Sequence, residues 1–448
     1  MSRNHDPMTD SKPSKEDLQR RREEFMKRIP AGGAIFPSTP TAIRNGDVDH
    51  EYRQNGDLYY LTGFEEPNSL AVLIPDHPET RFVMFVQPKD PERETWTGKR
   101  AGDEGAVRDY GADKSFTIDK LNEELPGLLQ KVERIYYRFG IDASIDDRVV
   151  ALMRRFSRER QRNGVGPYAV VDPADVLHSM RLVKSDEELR RLRRAVDISC
   201  DGHIAAMRET KPGVHEYELE AVLRYIFTRS GSPRCGYPPI VASGPNATTL
   251  HYVENRRRVA DDDLVLIDAG AEFGYYTGDV TRTFPASGTF TKPQAEIYEI
   301  VLEANRQAIG EVRPGSQFND PHARAAAVIT EGLLRLGLLE GDLETLIKEE
   351  GFKKYYMHRT SHWLGMDVHD VGSYKTGDNW TRLEPGMVLT VEPGIYIAEN
   401  AEAVPDRYRG IGVRIEDDVL VTGTGSEVLS ARVPKTPDDL MAIVGSSK

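Results

Sequence analysis

The chain has 448 residues, enough for two domains with separate cores, and 39% of them are hydrophobic against 29% charged. A net charge of −13 argues against a nucleic-acid surface, which needs a concentrated basic face. Two cysteines, Cys200 and Cys235, make neither a disulfide framework nor a thiolate metal site. No stretch approaches the ~18 apolar residues of a membrane span, and the amino terminus lacks an apolar signal core, so a cytoplasmic protein with no membrane partner is expected.

Residues 1–13 are polar with two prolines and read as a disordered tail. A helix is expected from Ser14 through SKEDLQRRREEFMKRI. Short apolar runs follow, AGGAIFP, LYYLTGF, SLAVLIP, RFVMFVQP and RIYYRFG, which read as strands, with a helical stretch DKLNEELPGLLQKV among them. Strands alternating with helices predict a small α/β domain over 14–180, with no acid and histidine cluster of its own. A second domain, 181–448, opens at Ser185 and Glu188, which match a capping box ahead of an apolar helical face. That helix stops at Lys211-Pro212-Gly213, and HEYELEAVLRYIFTRSG forms the next. After the pair comes a hairpin, LVLIDAGAEFGYYTGDVTRTF. Two further helices, in TKPQAEIYEIVLEANRQAIGEV and PHARAAAVITEGLLRLGLL, then precede MVLTVEPGIYI and GIGVRIEDDVLVT. Helix, helix, hairpin thus occurs twice, and the layout predicts an internal duplication.

Each hairpin carries two acids, Asp268 with Asp279 and Glu392 with Glu416. Alone, any one of them would pass for a turn residue or a surface charge. Together, aimed inward by strand alternation, they require a cation, because a buried bare charge is expensive. Oxygen ligands with one imidazole suit Mn²⁺, Mg²⁺ or Co²⁺ better than a tetrahedral structural zinc. A carboxylate can bridge paired metals about 3.5–4 Å apart, and one bridge per hairpin gives Asp268 and Glu416. HRTSHWLGMDVHDVG adds His358, His362 and His369 within twelve residues, and His251 precedes the first hairpin. Imidazoles there can hold a substrate carbonyl or an oxyanion.

The stretches IDAGAEFGYYTGDVTRTFP, HRTSHWLGMDVHDVG, VLTVEPGIYI and YRGIGVRIEDDVLV resemble the metal-site segments of the M24 metallopeptidases. EYRQNGDLYYLTGFEEPNSLAVL is similar to the amino-terminal domain of the aminopeptidase P group. The resemblance implies a pita-bread catalytic domain of α/β (α+β) class with a pseudo-two-fold repeat, behind a smaller α/β domain. It implies release of the first residue from peptides with proline second, through a hydroxide bridging two divalent metals. Asp268, Asp279, His362, Glu392 and Glu416 would be the ligands, with Mn²⁺ the expected metal and Co²⁺ or Zn²⁺ possible substitutes. Glu392 would shuttle the proton, His251 would stabilise the tetrahedral intermediate, and His369 would contact the substrate carbonyl. His358, Arg414 and Tyr396 would face the substrate. Trp96 matches a residue lent across a subunit interface, which implies a homodimer or homotetramer. The alternatives are a prolidase, acting on Xaa-Pro dipeptides, and a non-catalytic binding module, for which eroded ligands would be expected.

Overall fold

The computed structural model describes residues 11–447, so positions 1–10 of the expected disordered tail lie outside it. Two compact units are present, Lys12–Met180 and Arg181 onward.

The first unit begins with α1 (Lys15–Lys27), whose Ser14 cap accepts from the Asp17 N–H. Its sheet contains β1 (Gly32–Pro37), β2 (Leu70–Leu73), β3 (Phe82–Val86), β4 (Lys114–Thr117), β5 (Arg134–Tyr136) and β6 (Ala169–Val171), in the order β4-β3-β2-β1-β5-β6. β2 runs antiparallel to both β1 and β3, while the remaining pairs are parallel. Leu125, Val149 and Phe156 from flanking helices pack with Ile35, Val83 and Phe85 in its core.

LYYLTGF corrects the strand reading. Gly56–Thr62 is a helix, capped by Asn55 and closed by Gly63 at φ 65°. All its residues are buried, so it has no polar face to reveal a helical period.

In the second unit, α2 (Asp186–Glu209) starts at the expected capping box and is followed by α3 (Glu216–Arg229). Next come β7 (Ile240–Ser243), β8 (Leu264–Asp268), β9 (Ala271–Phe273), β10 (Tyr276–Thr277) and β11 (Thr281–Pro285). The hairpin is nested: β8 pairs with β11, and a smaller β9–β10 turn sits between them. After α4 (Lys292–Gly310) and α5 (Asp320–Arg335) the plan returns. β12 (Val388–Val391) pairs with β15 (Asp417–Val421), enclosing β13 (Gly394–Ile397) and β14 (Ile411–Arg414). Among the described residues no helix is long and apolar enough to cross a membrane.

Candidate metal centre and catalytic cleft

The acids stand where the nested hairpins turn. Asp268 ends β8, and Asp279 lies two residues before β11; Glu392 follows β12, and Glu416 immediately precedes β15. In the first half the two turns touch. A Cβ at Gly270 would lie 1.7 Å from the Gly278 carbonyl oxygen, so only glycine lets Asp268 and Asp279 approach. The halves are stitched by backbone: the Glu416 N–H donates to the Thr281 carbonyl at 3.0 Å, and the Asp279 N–H donates to Asp418 at 3.1 Å. His362 arrives along the free side of β12, where the Thr390 N–H donates to its carbonyl at 3.0 Å and the Glu392 N–H to that of Thr360 at 2.8 Å.

These residues open onto a cavity of about 480 Å³, lined also by His251, His358, His369 and Arg414. His362 Nε2 lies 3.3 Å from Asp279 and 3.6 Å from Glu392. Its Nδ1 is 3.0 Å from the Trp363 carbonyl, which fixes that nitrogen as the donor and turns the other inward as a ligand atom. Asp279, His362 and Glu416 each bring a donor atom into a group no wider than 4.8 Å. Asp268, expected with Glu416 as a shared carboxylate, stands outside this group, and Asp279 stands in it. Asp279 is the acid that meets His362, whereas Asp268 turns to the Arg414 guanidinium at 2.6 Å.

Tyr237, which motif reading missed, places its phenol oxygen 2.5 Å from both Asp268 and Asp279. One hydroxyl proton serves two carboxylates, and only its proximity to β7, the partner of β8, would have pointed to it. Thr281 was missed too; its hydroxyl donates to Glu416 at 2.6 Å. Tyr396 does not line the cavity, but its buried hydroxyl lies 2.8 Å from His358 Nε2 and 3.0 Å from Arg414. Trp96 is 85% exposed on the short helix Pro91–Thr97 of the first unit.

The electrostatics of these side chains suit a bound cation. Burial pushes Glu392 up to about 8, reinforced by Asp279 and Asp268 against His362 and Arg414. Burial also drives Glu416 well above the carboxylate range, with Asp279, Glu392 and Asp268 adding to it. For His362 burial lowers the proton affinity, but the Asp279 and Glu392 carboxylates outweigh it and hold it up to about 9. Protons are thus retained where a divalent cation would replace them. Burial, with Arg414 next, pushes His358 down to about 4, consistent with a neutral ring accepting from Tyr396.

The metallopeptidase family M24 model matches residues 190–423, and the aminopeptidase P amino-terminal domain model matches 18–136. The Xaa-Pro aminopeptidase of Escherichia coli K12 is 41% identical over 97% of this chain and 99% of its own. The solved aminopeptidase PepP of Pseudomonas aeruginosa superposes with a TM-score of 0.94 at 47% identity, covering 97% of this chain and 99% of that one. A zinc-substituted Escherichia coli aminopeptidase P in complex with product gives 0.93 at 41% identity over 98% and 100%. With this similarity along nearly its whole length, and with the nested hairpins of the pita-bread fold, the chain belongs to the M24 metallopeptidases, in their aminopeptidase P group.

Proposed function

We propose that the protein is a metal-dependent aminopeptidase that removes the first residue from peptides with proline in second position. The observation that carries this reading is the convergence of four carboxylates and His362 in one cavity, with His251, His358 and His369 on its wall. The full-length similarity to Xaa-Pro aminopeptidases supports it. That all five expected ligand residues line this cavity supports a catalytic centre over a binding module, for which an eroded set would be expected.

Asp268, Asp279, His362, Glu392 and Glu416 would hold two divalent cations, with Mn²⁺ as the native metal. When bound, such a pair supplies Lewis acidity and a water of lowered pKa. Glu392 takes the proton from the attacking water and delivers it to the departing proline nitrogen. His251 donates to the oxyanion as the carbonyl becomes tetrahedral. His369 holds the carbonyl on the proline side, and His358, kept in one tautomer by Tyr396, forms part of the proline pocket. Arg414 anchors Asp268 and Tyr396. Exposed Trp96 supports a homo-oligomer in which it reaches a neighbour's cleft, and the two free cysteines support a cytoplasmic setting.

The test compares tripeptides on the manganese-loaded protein. Xaa-Pro-Yaa is expected to be cleaved at least about a hundredfold faster than Xaa-Ala-Yaa, because a shaped ring pocket orients the scissile bond. Equal rates would remove the proline preference, and turnover of Xaa-Pro dipeptides alone would make the enzyme a prolidase.

A further inference from the structure

Between His362 and His369 the chain makes a compact loop closed on itself, the Asp370 N–H donating to the Trp363 carbonyl at 2.8 Å. Behind that loop lies a charge cluster that the chemistry above does not use. The Asp370 carboxylate, its side chain 1% exposed, meets Arg181 at 2.8 Å and Lys184 at 3.2 Å. Arg181 also holds Asp367, midway along the loop, at 2.8 Å. The Lys184 side chain is fully buried. Gly365 faces the cluster, and a Cβ there would lie 2.0 Å from the Asp370 carboxylate, so the ion pair fills the space a side chain would take. The opposite edge of the loop is pinned by the Thr277 N–H, which donates to the Gly365 carbonyl at 2.9 Å.

Buried ion clusters contribute little net stability, since desolvation consumes most of the Coulomb gain. Their rigidity is the more telling property. Asp370 is the immediate neighbour of His369, which lies open to the cavity with its ring 4.4 Å from that of His362.

We propose that Arg181, Lys184 and Asp370 form a positioning clamp that sets the His369 imidazole over the cleft, acting on substrate alignment only through that ring. This rests on His369 being a substrate contact. A misplacement of about 1 Å can cost on the order of a hundredfold in rate, so the clamp should be visible in turnover.

The experiment is a double-mutant cycle on the manganese-loaded enzyme: wild type, Asp370→Asn, His369→Ala and both together. kcat, KM and calorimetric affinity for the dipeptide Pro-Leu are measured, with metal content and unfolding midpoint alongside. Asp370→Asn is expected to lower kcat/KM and Pro-Leu affinity at least about tenfold at unchanged metal content. Added to His369→Ala, it should cost nothing further. Losses that multiply would overturn the clamp, as would an Asp370→Asn enzyme equal to wild type. Should Asp370→Asn fail to fold, Lys184→Met carries the same cycle, and Lys184→Arg should restore activity relative to it. A wild type inert towards proline peptides would refute the functional reading instead, and the cycle would use the peptide it does cleave.

Discussion

In the first nested hairpin Asp268 has the Arg414 guanidinium at 2.6 Å and Asp279 has His362 at 3.3 Å, with the Tyr237 phenol between them. In the second, Glu416 meets the Thr281 hydroxyl and Glu392 meets Thr390 at 3.4 Å, with His362 at 3.6 Å and His358 at 3.7 Å. The backbones repeat, since Asp268 closes one outer strand and Glu392 directly follows the other, while Asp279 and Glu416 each precede its partner. The charge environments do not repeat. Asp268 of the first half is met by a permanent cation, Arg414 from the second hairpin. Glu416 and Glu392 of the second are met by hydroxyls and imidazoles, and burial raises both above the carboxylate range. Duplication sets where the carboxylates stand, and the side chains around them decide which one can exchange a proton.

The largest effect should separate the matching positions Asp268 and Glu392. Glu392→Gln keeps the shape but cannot accept a proton, so kcat should fall by about a thousandfold, the range of general acid–base catalysis. Excess Mn²⁺ should not restore it. Asp268→Asn should lose activity through weakened metal binding and recover in part when the metal is raised. Steady-state rates across a metal titration distinguish the two. If excess metal rescues both equally, the asymmetry between the halves is wrong.

Removing the metal should expose the second half's retained protons. In the metal-free protein Glu392 and His362 both have folded-state values raised above their ordinary ones, to about 8 and about 9. The folded state then binds more protons than the unfolded chain from the ordinary carboxylate range up to about 9. The stability these two groups contribute should fall as pH rises through that window, opposed below about pH 6.5 by His203, His322 and His358, which burial holds down to about 4. Metal should remove the contribution of Glu392 and His362 by replacing their protons. Denaturant unfolding at pH 5.5 and pH 8.5, with and without Mn²⁺, reads this directly. The same pair of measurements on metal-free Glu392→Gln isolates this carboxyl, and a pH dependence identical to that of the metal-free wild type would contradict the charge environment described for Glu392.

That the four acids would meet in one cleft was legible because each closes or enters a strongly apolar strand, where a bare charge has no ordinary reason to stand. The doubled helix–helix–hairpin plan was legible for the same reason of pattern. What escaped depends on contacts distant in sequence. Tyr237 reaches Asp279 across 42 positions and Arg414 reaches Asp268 across 146, so spacing alone could not show that Asp268 turns to a guanidinium while Asp279 meets His362. LYYLTGF was misread because a helix buried all round shows no periodicity.

Tyr237 offers the smallest and finest test of the comparison. Its hydroxyl is the donor common to both first-half acids, and a phenylalanine would keep the ring's packing while removing that donor. Outer hydrogen bonds of this kind orient ligands, and their loss typically weakens metal affinity about 10- to 100-fold. Tyr237→Phe should sit at the low end, because Arg414 still holds Asp268 and His362 still faces Asp279. The analogous Thr281→Val removes a donor from Glu416, which has no guanidinium at hydrogen-bond distance among the contacts described, and should cost more. Calorimetric Mn²⁺ titration of both variants ranks them. The opposite order would mean that the hydroxyl, rather than the guanidinium, is what holds the first half in place.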